Sequence, residues 1–113
     1  MANTTTLRRR IGAIKKELAG LGDLRPGSLS QQYNVCGNPK CRCKADPPQK
    51  HGPYYQLAWS RKGRHTTAFV RQDEVETVQQ EVENYRRLQA LVQEWIDISQ
   101  QLCELRHEAR RRK

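Results

Sequence analysis

The chain has 113 residues, an apolar fraction of 35% and a formal net charge of +9. This length suits one domain, and so few apolar residues exclude a large buried core. No apolar stretch is long enough to span a membrane, and residues 1–25 lack the continuous apolar core of a signal peptide. We therefore expect a single cytoplasmic domain over residues 1–113 that needs stabilisation beyond its core.

The first predicted element is a helix over residues 5–21. Thr4 to Thr6 offer N-caps, and Gly20 or Gly22 offers the stop. Its apolar residues recur at the 3.5-residue period of a coiled coil; they are Leu7, Ile11, Ile14, Leu18 and Leu21. Arg8–Arg10 oppose the dipole of this helix, which points to an anionic partner.

Residues 22–52 are predicted to form a loop and a metal knuckle, with a short extended piece at 32–35. Three thiols and an imidazole lie within sixteen residues; the candidate ligands are Cys36, Cys41, Cys43 and His51. Clustered thiols in a reducing compartment favour a metal over disulfides, and Gly37–Pro39 lets the backbone turn around one ion. Zn²⁺, bound tetrahedrally by sulfur and nitrogen, is the predicted structural cofactor. A structural zinc contributes an apparent ~10 to 16 kcal/mol to a small fold.

The sequence leaves the fourth ligand open. His51 could instead be a turn histidine before Gly52, and Cys103 or His65 could replace it. Cys103 follows Leu102 on the last predicted helix, so we expect it to be a small buried residue. The spacing differs from paired CxxC knuckles, and a redox role for Cys41 and Cys43 is a further alternative.

Residues 53–70 are predicted to form a two-stranded β-hairpin. Two runs rich in aromatic and β-branched residues flank the segment 60–64, in which Gly63 suits a positive φ. Alternation places Tyr55, Leu57 and Trp59 on one face, and Tyr54 on the other. We expect these aromatic residues and Phe69 either to form the core of a small sheet or to stack on bases.

The last predicted element is a long helix over residues 73–108, followed by a basic tail at 109–113. Its apolar residues continue at steps of three and four, and Leu91 and Ile96 widen this stripe; the stripe comprises Val75, Val78, Val82, Tyr85, Leu88, Val92, Trp95, Ile98, Leu102 and Leu105. The N-terminal helix is too short to cover it. We therefore expect the terminal helices to pair as a coiled coil and the protein to be a homodimer.

Positive charge is concentrated around the knuckle and the hairpin. Residues 36–71 have a net charge of +7, whereas residues 72–108 have a net charge of −6. Concentrated cations favour a polyanion, because each neutralised phosphate releases counterions. The predicted nucleic-acid contacts are Lys40, Arg42, Lys44, Lys50, Arg61, Lys62, Arg64 and Arg71. Solubility alone would not require this segregation.

Several short strings together resemble a known family. They are Arg25-Pro-Gly-Ser-Leu-Ser30, Tyr33, Cys36-Gly37, Cys41-Arg-Cys43 and His51-Gly-Pro-Tyr-Tyr55. Through these strings, the chain resembles a family of short uncharacterised prokaryotic proteins that contain a domain of unknown function. The resemblance covers about residues 24–100, and members of the family often occur near transposase genes. The resemblance implies a setting in mobile DNA.

The sequence predicts an α+β fold and a protein that is not an enzyme. It has no glycine-rich phosphate loop and no HExxH, and its acidic residues suit a solvated helix face. We expect a zinc-stabilised accessory protein that binds nucleic acid, DNA rather than RNA, mainly through phosphates. The alternative is a helical adaptor that docks a transposase or another protein, with nucleic acid incidental.

Overall fold

The computed structural model describes residues 3–111 and has the mixed α+β class that the sequence predicts. Its elements, in chain order, are α1 (Thr4–Ala19), β1 (Ser28–Asn34), β2 (His51–Arg61), β3 (Arg64–Val70) and α2 (Val75–Arg111). Chain contacts define two compact units. The helical unit combines residues 3–24 with 84–111, and the sheet unit comprises Arg25–Glu83.

Asn3 caps helix α1, not one of the three threonines that follow it. Its side-chain oxygen accepts the amide hydrogen of Thr6 at 2.8 Å, which satisfies one of the free amides of the first turn. The helix ends at Ala19 with Gly20 as its C-cap, so Gly20 is the stop of the two that the sequence offers, and the helix is two residues shorter at this end than the predicted 5–21. Leu21 therefore lies just beyond the helix.

Helix α1 packs against α2 within the helical unit. The buried cluster consists of Leu7, Ile14, Leu91, Ile98 and Leu102, with Ile11, Leu18 and Trp95 packed around it. Arg10 pairs with Glu94, and Glu17 pairs with Arg87. The earlier residue of α1 thus pairs with the later residue of α2, and the later residue of α1 pairs with the earlier one. The two helices therefore run antiparallel.

The sheet has three strands, where the sequence predicted two. The additional strand, β1, pairs antiparallel with β2, and the order is β1-β2-β3. Only 32–35 was expected to be extended in this part of the chain. Strand β1 was missed because Leu29 and Tyr33 are its only apolar residues. Its backbone hydrogen bonds with β2 hold it in place, and these depend on tertiary pairing.

A two-residue turn joins β2 to β3, so the hairpin is tighter than the predicted five-residue connection. Lys62 and Gly63 have φ values of 52° and 78°. Positive φ at both positions is typical of a type I′ turn, whose twist matches that of the strands. Arg61 and Arg64 consequently face each other in register next to this turn.

One face of the sheet is covered by the first turns of α2. Leu57, Val78 and Val82 are buried together, and Leu29, Trp59 and Val70 pack against them. The alternation predicted for β2 is thus correct on this face. The apolar stripe of α2 is therefore shared: its beginning packs on the sheet, and its later turns pack on α1.

Helix α2 continues further than predicted, through Arg111. Residues 108–111 contain good helix formers, and arginines in the last turn interact favourably with the helix dipole. The predicted tail at 109–113 is therefore helical as far as Arg111, and Arg112 and Lys113 lie outside the described residues. Within residues 3–111, no helix combines the length and apolarity needed to cross a bilayer.

Candidate metal centre and cationic surface

The knuckle is the connection between β1 and β2. Asn34 pairs with His51 at the open end of the two strands, so residues 35–50 form a loop that is closed at its base. Cys36 lies two residues after β1, and His51 is the first residue of β2. The antiparallel pair therefore fixes the two outer members of the cysteine and histidine cluster.

Local hydrogen bonds fold the loop back on itself. Asn38 accepts the amide of Cys41 with its backbone oxygen at 3.2 Å and the amide of Lys40 with its side-chain oxygen at 3.0 Å. A 3₁₀ turn at Arg42–Lys44 follows, and Gln49 donates its amide to the carbonyl of Arg42 at 3.1 Å. Asparagine is well suited to this bend, because its side chain can bond with the backbone two residues on.

Four potential ligand atoms converge in this loop. The Sγ atoms of Cys36 and Cys43 are 3.6 Å apart, and Cys41 Sγ is 3.2 Å from His51 Nε2. All four atoms lie within 4.8 Å of one another. A tetrahedral zinc with bonds of about 2.3 Å to sulfur holds two sulfurs about 3.8 Å apart. The four residues could therefore bind one metal ion, and no disulfide joins them.

The four residues differ in exposure, and the pKa values of Cys36 and Cys43 shift in opposite directions. Cys43 is 1% exposed, while the other three are half-buried. Backbone hydrogen bonding at Asn38, followed by contacts with His51, Cys41 and Cys43, lowers the pKa of Cys36 to about 6. The Cys36 amide, 3.4 Å from Cys43 Sγ, lowers the pKa of Cys43, but burial and the two neighbouring thiols outweigh it and raise that pKa.

Gly52, the residue that follows His51, allows strand β1 to pack closely against it. Its φ is 140°, and a Cβ atom there would lie 2.8 Å from the carbonyl oxygen of Gln32. A side chain would meet both the backbone strain and this clash. Glycine at this position therefore permits the close pairing that brings His51 to Cys41.

Of the three candidate fourth ligands, the structure places His51 beside the three cysteines. Among the residues that it describes, the cluster contains His51 and neither Cys103 nor His65. His65 Nδ1 lies 3.1 Å from Ser60 Oγ, at the far end of β2 from His51. Cys103 is exposed, which corrects the expectation that it is buried. Leu102 takes the buried position on that part of α2, and a neighbour in a helix points about 100° away.

The eight predicted nucleic-acid contacts are all exposed, and seven of them fall into two groups. The knuckle group consists of Lys40, Arg42, Lys44 and Lys50, and the tip group consists of Arg61, Lys62 and Arg64. Within residues 3–111, neither group forms an ion pair. Arg71 differs, because its guanidinium lies 3.4 Å from a carboxylate oxygen of Asp73.

The four aromatic residues of the hairpin divide between the two faces of the sheet. Trp59 packs on the buried cluster, and Tyr55 is half-buried on the same face. Tyr54 and Phe69 are exposed on the other face, by 43% and 69%. The sequence separates Tyr54 from Tyr55 and Trp59 by alternation, but it does not show which of the two faces is covered by α2.

The fold and the cluster define a class of small α+β proteins in which a cysteine-rich loop interrupts a three-stranded antiparallel sheet. A family model described as "Domain of unknown function (DUF6788)" matches residues 4–80, and the chain belongs to this family. The match includes α1, the whole sheet and the start of α2, and thus all the strings on which the resemblance depended. No curated protein and no solved structure matches the chain.

Proposed function

We propose that the protein is a zinc-stabilised nucleic-acid-binding accessory protein that binds mainly through backbone phosphates. One observation carries the proposal: from residue 25 to residue 71, nine basic residues accompany a single acidic one, Asp46. Seven of these cations form no ion pair within the described residues. Unpaired cations in the loop and the turn at the two ends of a small sheet favour a polyanion, because binding releases the counterions of both partners.

Zinc would be held by Cys36, Cys41, Cys43 and His51 and would have a structural role. Three thiolates and one imidazole form a closed ligand set without a position for a reacting water. The ion would cross-link the two ends and the middle of a loop that has only one fully buried side chain. This cross-link would hold the knuckle group in a fixed arrangement at one end of β2.

Phosphate contacts fix the position of a protein on nucleic acid without reading sequence. We therefore infer modest base selectivity, and we favour DNA over RNA as the ligand. The same proposal includes a cytoplasmic, non-enzymatic role in association with a mobile element. It also includes a homodimer whose terminal helices form a coiled coil.

The test removes the charge of the tip group. Arg61→Gln, Lys62→Asn and Arg64→Gln are combined, and asparagine is chosen because it tolerates the positive φ of Lys62. Loss of two or three phosphate contacts should reduce the slope of log K against log [salt] by about 2 to 3 for B-DNA. Fluorescence anisotropy with a labelled 20-base-pair duplex, at several salt concentrations, measures this slope.

The matched control removes three exposed cations from the two helices. It combines Lys16→Gln, Arg86→Gln and Arg106→Gln, and so has the same net charge as the tip variant. We expect the control to change the slope much less. An equal effect of both variants would show attraction by net charge alone, which contradicts contact by the tip group.

The second candidate is a helical adaptor for a transposase or another protein. It is favoured by apolar side chains that remain exposed on α2, namely Val92 at 38% and Ile96 at 54%. If wild-type protein binds neither duplex nor single-stranded nucleic acid at low salt, the adaptor function is favoured over the nucleic-acid-binding function.

A further inference from the structure

The two faces of the three-stranded sheet are very different. One face packs on Val78 and Val82, as described above. The opposite face, here called the open face, has no such cover within the sheet unit. By alternation along the three strands it comprises Ser28, Ser30, Gln32, Tyr54, Gln56, Ala58, Ser60, His65, Thr67 and Phe69. It is a mainly polar surface with two aromatic rings.

Tyr54 and Phe69 are neighbours on the open face. Phe69 pairs with Gln56, and Tyr54 lies two residues before Gln56 on the same side of β2. Such diagonal neighbours are within reach of aromatic side chains. Both rings line a solvent-open depression of about 400 Å³ together with Val35, Cys36 and His51. The depression therefore joins the open face to the candidate metal centre.

Phe69 is 69% exposed, although burial of a phenylalanine side chain is normally favourable. The polar residues beside it are engaged with each other. Gln32 donates its side-chain amide to the side-chain oxygen of Gln56 at 2.6 Å, and Ser30 donates to the Gln56 carbonyl at 3.3 Å. These hydrogen bonds fix the polar side chains of the open face. The rings of Tyr54 and Phe69 take no part in them and are exposed to a ligand.

Cations lie at both ends of the open face. The tip group is at one end of β2, where Lys62 lies in the turn and Arg61 and Arg64 alternate onto the opposite face. The knuckle group is near the other end, roughly 30 Å away at about 3.3 Å per residue. The three strands contain no acidic residue. A ligand that lies along the open face and reaches the turn would thus meet the knuckle group, then the aromatic rings, then Lys62 with the two arginines beside it. A chain of phosphates with flat, accessible rings between them matches this order.

We propose that the open face binds single-stranded nucleic acid, with Tyr54 and Phe69 stacking on unpaired bases while the tip and knuckle groups contact phosphates. The inference rests on the proposed nucleic-acid binding and names its ligand as a single strand. A duplex presents its phosphates but encloses the faces of its bases, so it cannot use the two rings. Stacking also tolerates any base, which agrees with contacts that do not read sequence.

The test compares single strands with a duplex. Labelled dT12, U12 and a 12-base-pair DNA duplex are titrated with wild-type protein and with the Tyr54→Leu/Phe69→Leu variant. We expect tighter binding of the single strands by wild type, and a loss of roughly tenfold for each ring removed. Duplex affinity and the salt slope should be unchanged, because the cations remain. The dT12 and U12 arms tell DNA from RNA.

Two further variants control for general damage to the sheet. Tyr33→Leu removes an exposed tyrosine that hydrogen bonds with Gln31 and belongs to the other face, so it should retain wild-type affinity. Phe69→Trp restores a stacking ring and should bind at least as tightly as wild type. Circular dichroism melts and zinc content should be the same in all variants.

The outcomes separate this inference from the proposed function. If wild type binds single strands and duplex equally, and the double leucine variant does the same, stacking is refuted and phosphate binding stands. If wild type binds no nucleic acid, both proposals fail. If the double variant changes the sedimentation mass and not oligonucleotide affinity, a second copy covers the open face and the inference is overturned.

Discussion

Cys43 differs from the fourth cysteine of the chain, Cys103, in its surroundings. Cys43 is 1% exposed and lies beside the other three ligand atoms, whereas Cys103 is exposed on α2. We expect Cys43→Ser to reduce bound zinc from about one ion per chain to nearly none, because serine is a poor zinc ligand. Elemental analysis of freshly purified protein measures the metal, and a thermal melt should show a lower Tm.

Cys103→Ser is the matched control, since it makes the same chemical change outside the cluster. This variant should retain the zinc and the Tm of the wild type. Wild-type protein that folds without any bound metal would contradict the metal centre. Equal zinc in both variants would show that Cys43 is only a packing residue.

The sequence was sufficient to identify the candidate ligands, because Cys36, Cys41 and Cys43 are close along the chain. It could not choose the fourth ligand. That choice depends on the pairing of Asn34 with His51, which brings a residue of β2 to the loop. The choice therefore required strand β1, of which the sequence predicts only the part at 32–35 as extended and predicts no partner strand.

At the scale of the elements, two ion pairs connect α1 with α2. Arg10 Nε lies 2.6 Å from one carboxylate oxygen of Glu94, and a second guanidinium nitrogen of Arg10 donates to the other oxygen. Arg87 binds Glu17 in the same bidentate manner. The hydrogen bond from Arg10 lowers the pKa of Glu94 below its ordinary value of 4.5, and the bond from Arg87 does the same for Glu17. Both carboxylates are therefore more acidic in the folded protein than in the unfolded chain.

A lowered pKa stabilises the folded state above pH 4.5, and this stabilisation is lost as the pH falls through the folded value. We expect Glu94→Gln to lower the Tm slightly at pH 7, since exposed pairs contribute little. The difference from wild type should shrink as the pH falls below 4.5 and should disappear below the lowered pKa of Glu94. Because both proteins have the same zinc ligands, loss of metal in acid cancels in the comparison. A difference that is constant from pH 7 to pH 3 would contradict the ion pair.

The apolar contact between these helices should have a much larger effect than the ion pairs. Ile14 is completely buried, and truncation of such a side chain to alanine typically costs about 2 to 5 kcal/mol. The spacing of apolar residues predicted α1 and α2 well for this reason, since burial follows the helical period. It could not predict the ion pairs, because Arg10 and Glu94 are brought together only by the alignment of two distant segments.

At the scale of the whole molecule, a single chain covers more of α2 than the sequence indicates. The sequence predicts a homodimer because the N-terminal helix is too short to cover the apolar stripe of the last one. In the structure, Val78 and Val82 pack on the sheet, so the beginning of the stripe is covered within one chain. What remains is a smaller exposed set on α2: Val92 at 38%, Ile96 at 54% and Leu105 at 37%. Val92 and Ile96 are four residues apart and share one side of the helix.

We expect the dimer to form through this side of α2. Val92→Ser combined with Ile96→Glu would place a charge in the interface, and desolvation of an unpaired carboxylate strongly opposes burial. Sedimentation equilibrium should give twice the chain mass for wild type and the single mass for the variant, with zinc content unchanged. Ile14 and Leu91 are untouched, so the helical unit should still fold. Phe69→Leu, on the open face of the sheet, is the control and should remain dimeric. A wild-type protein that sediments as a monomer at every concentration would refute the dimer, and an unchanged mass in the variant would exclude this side of α2 as its interface.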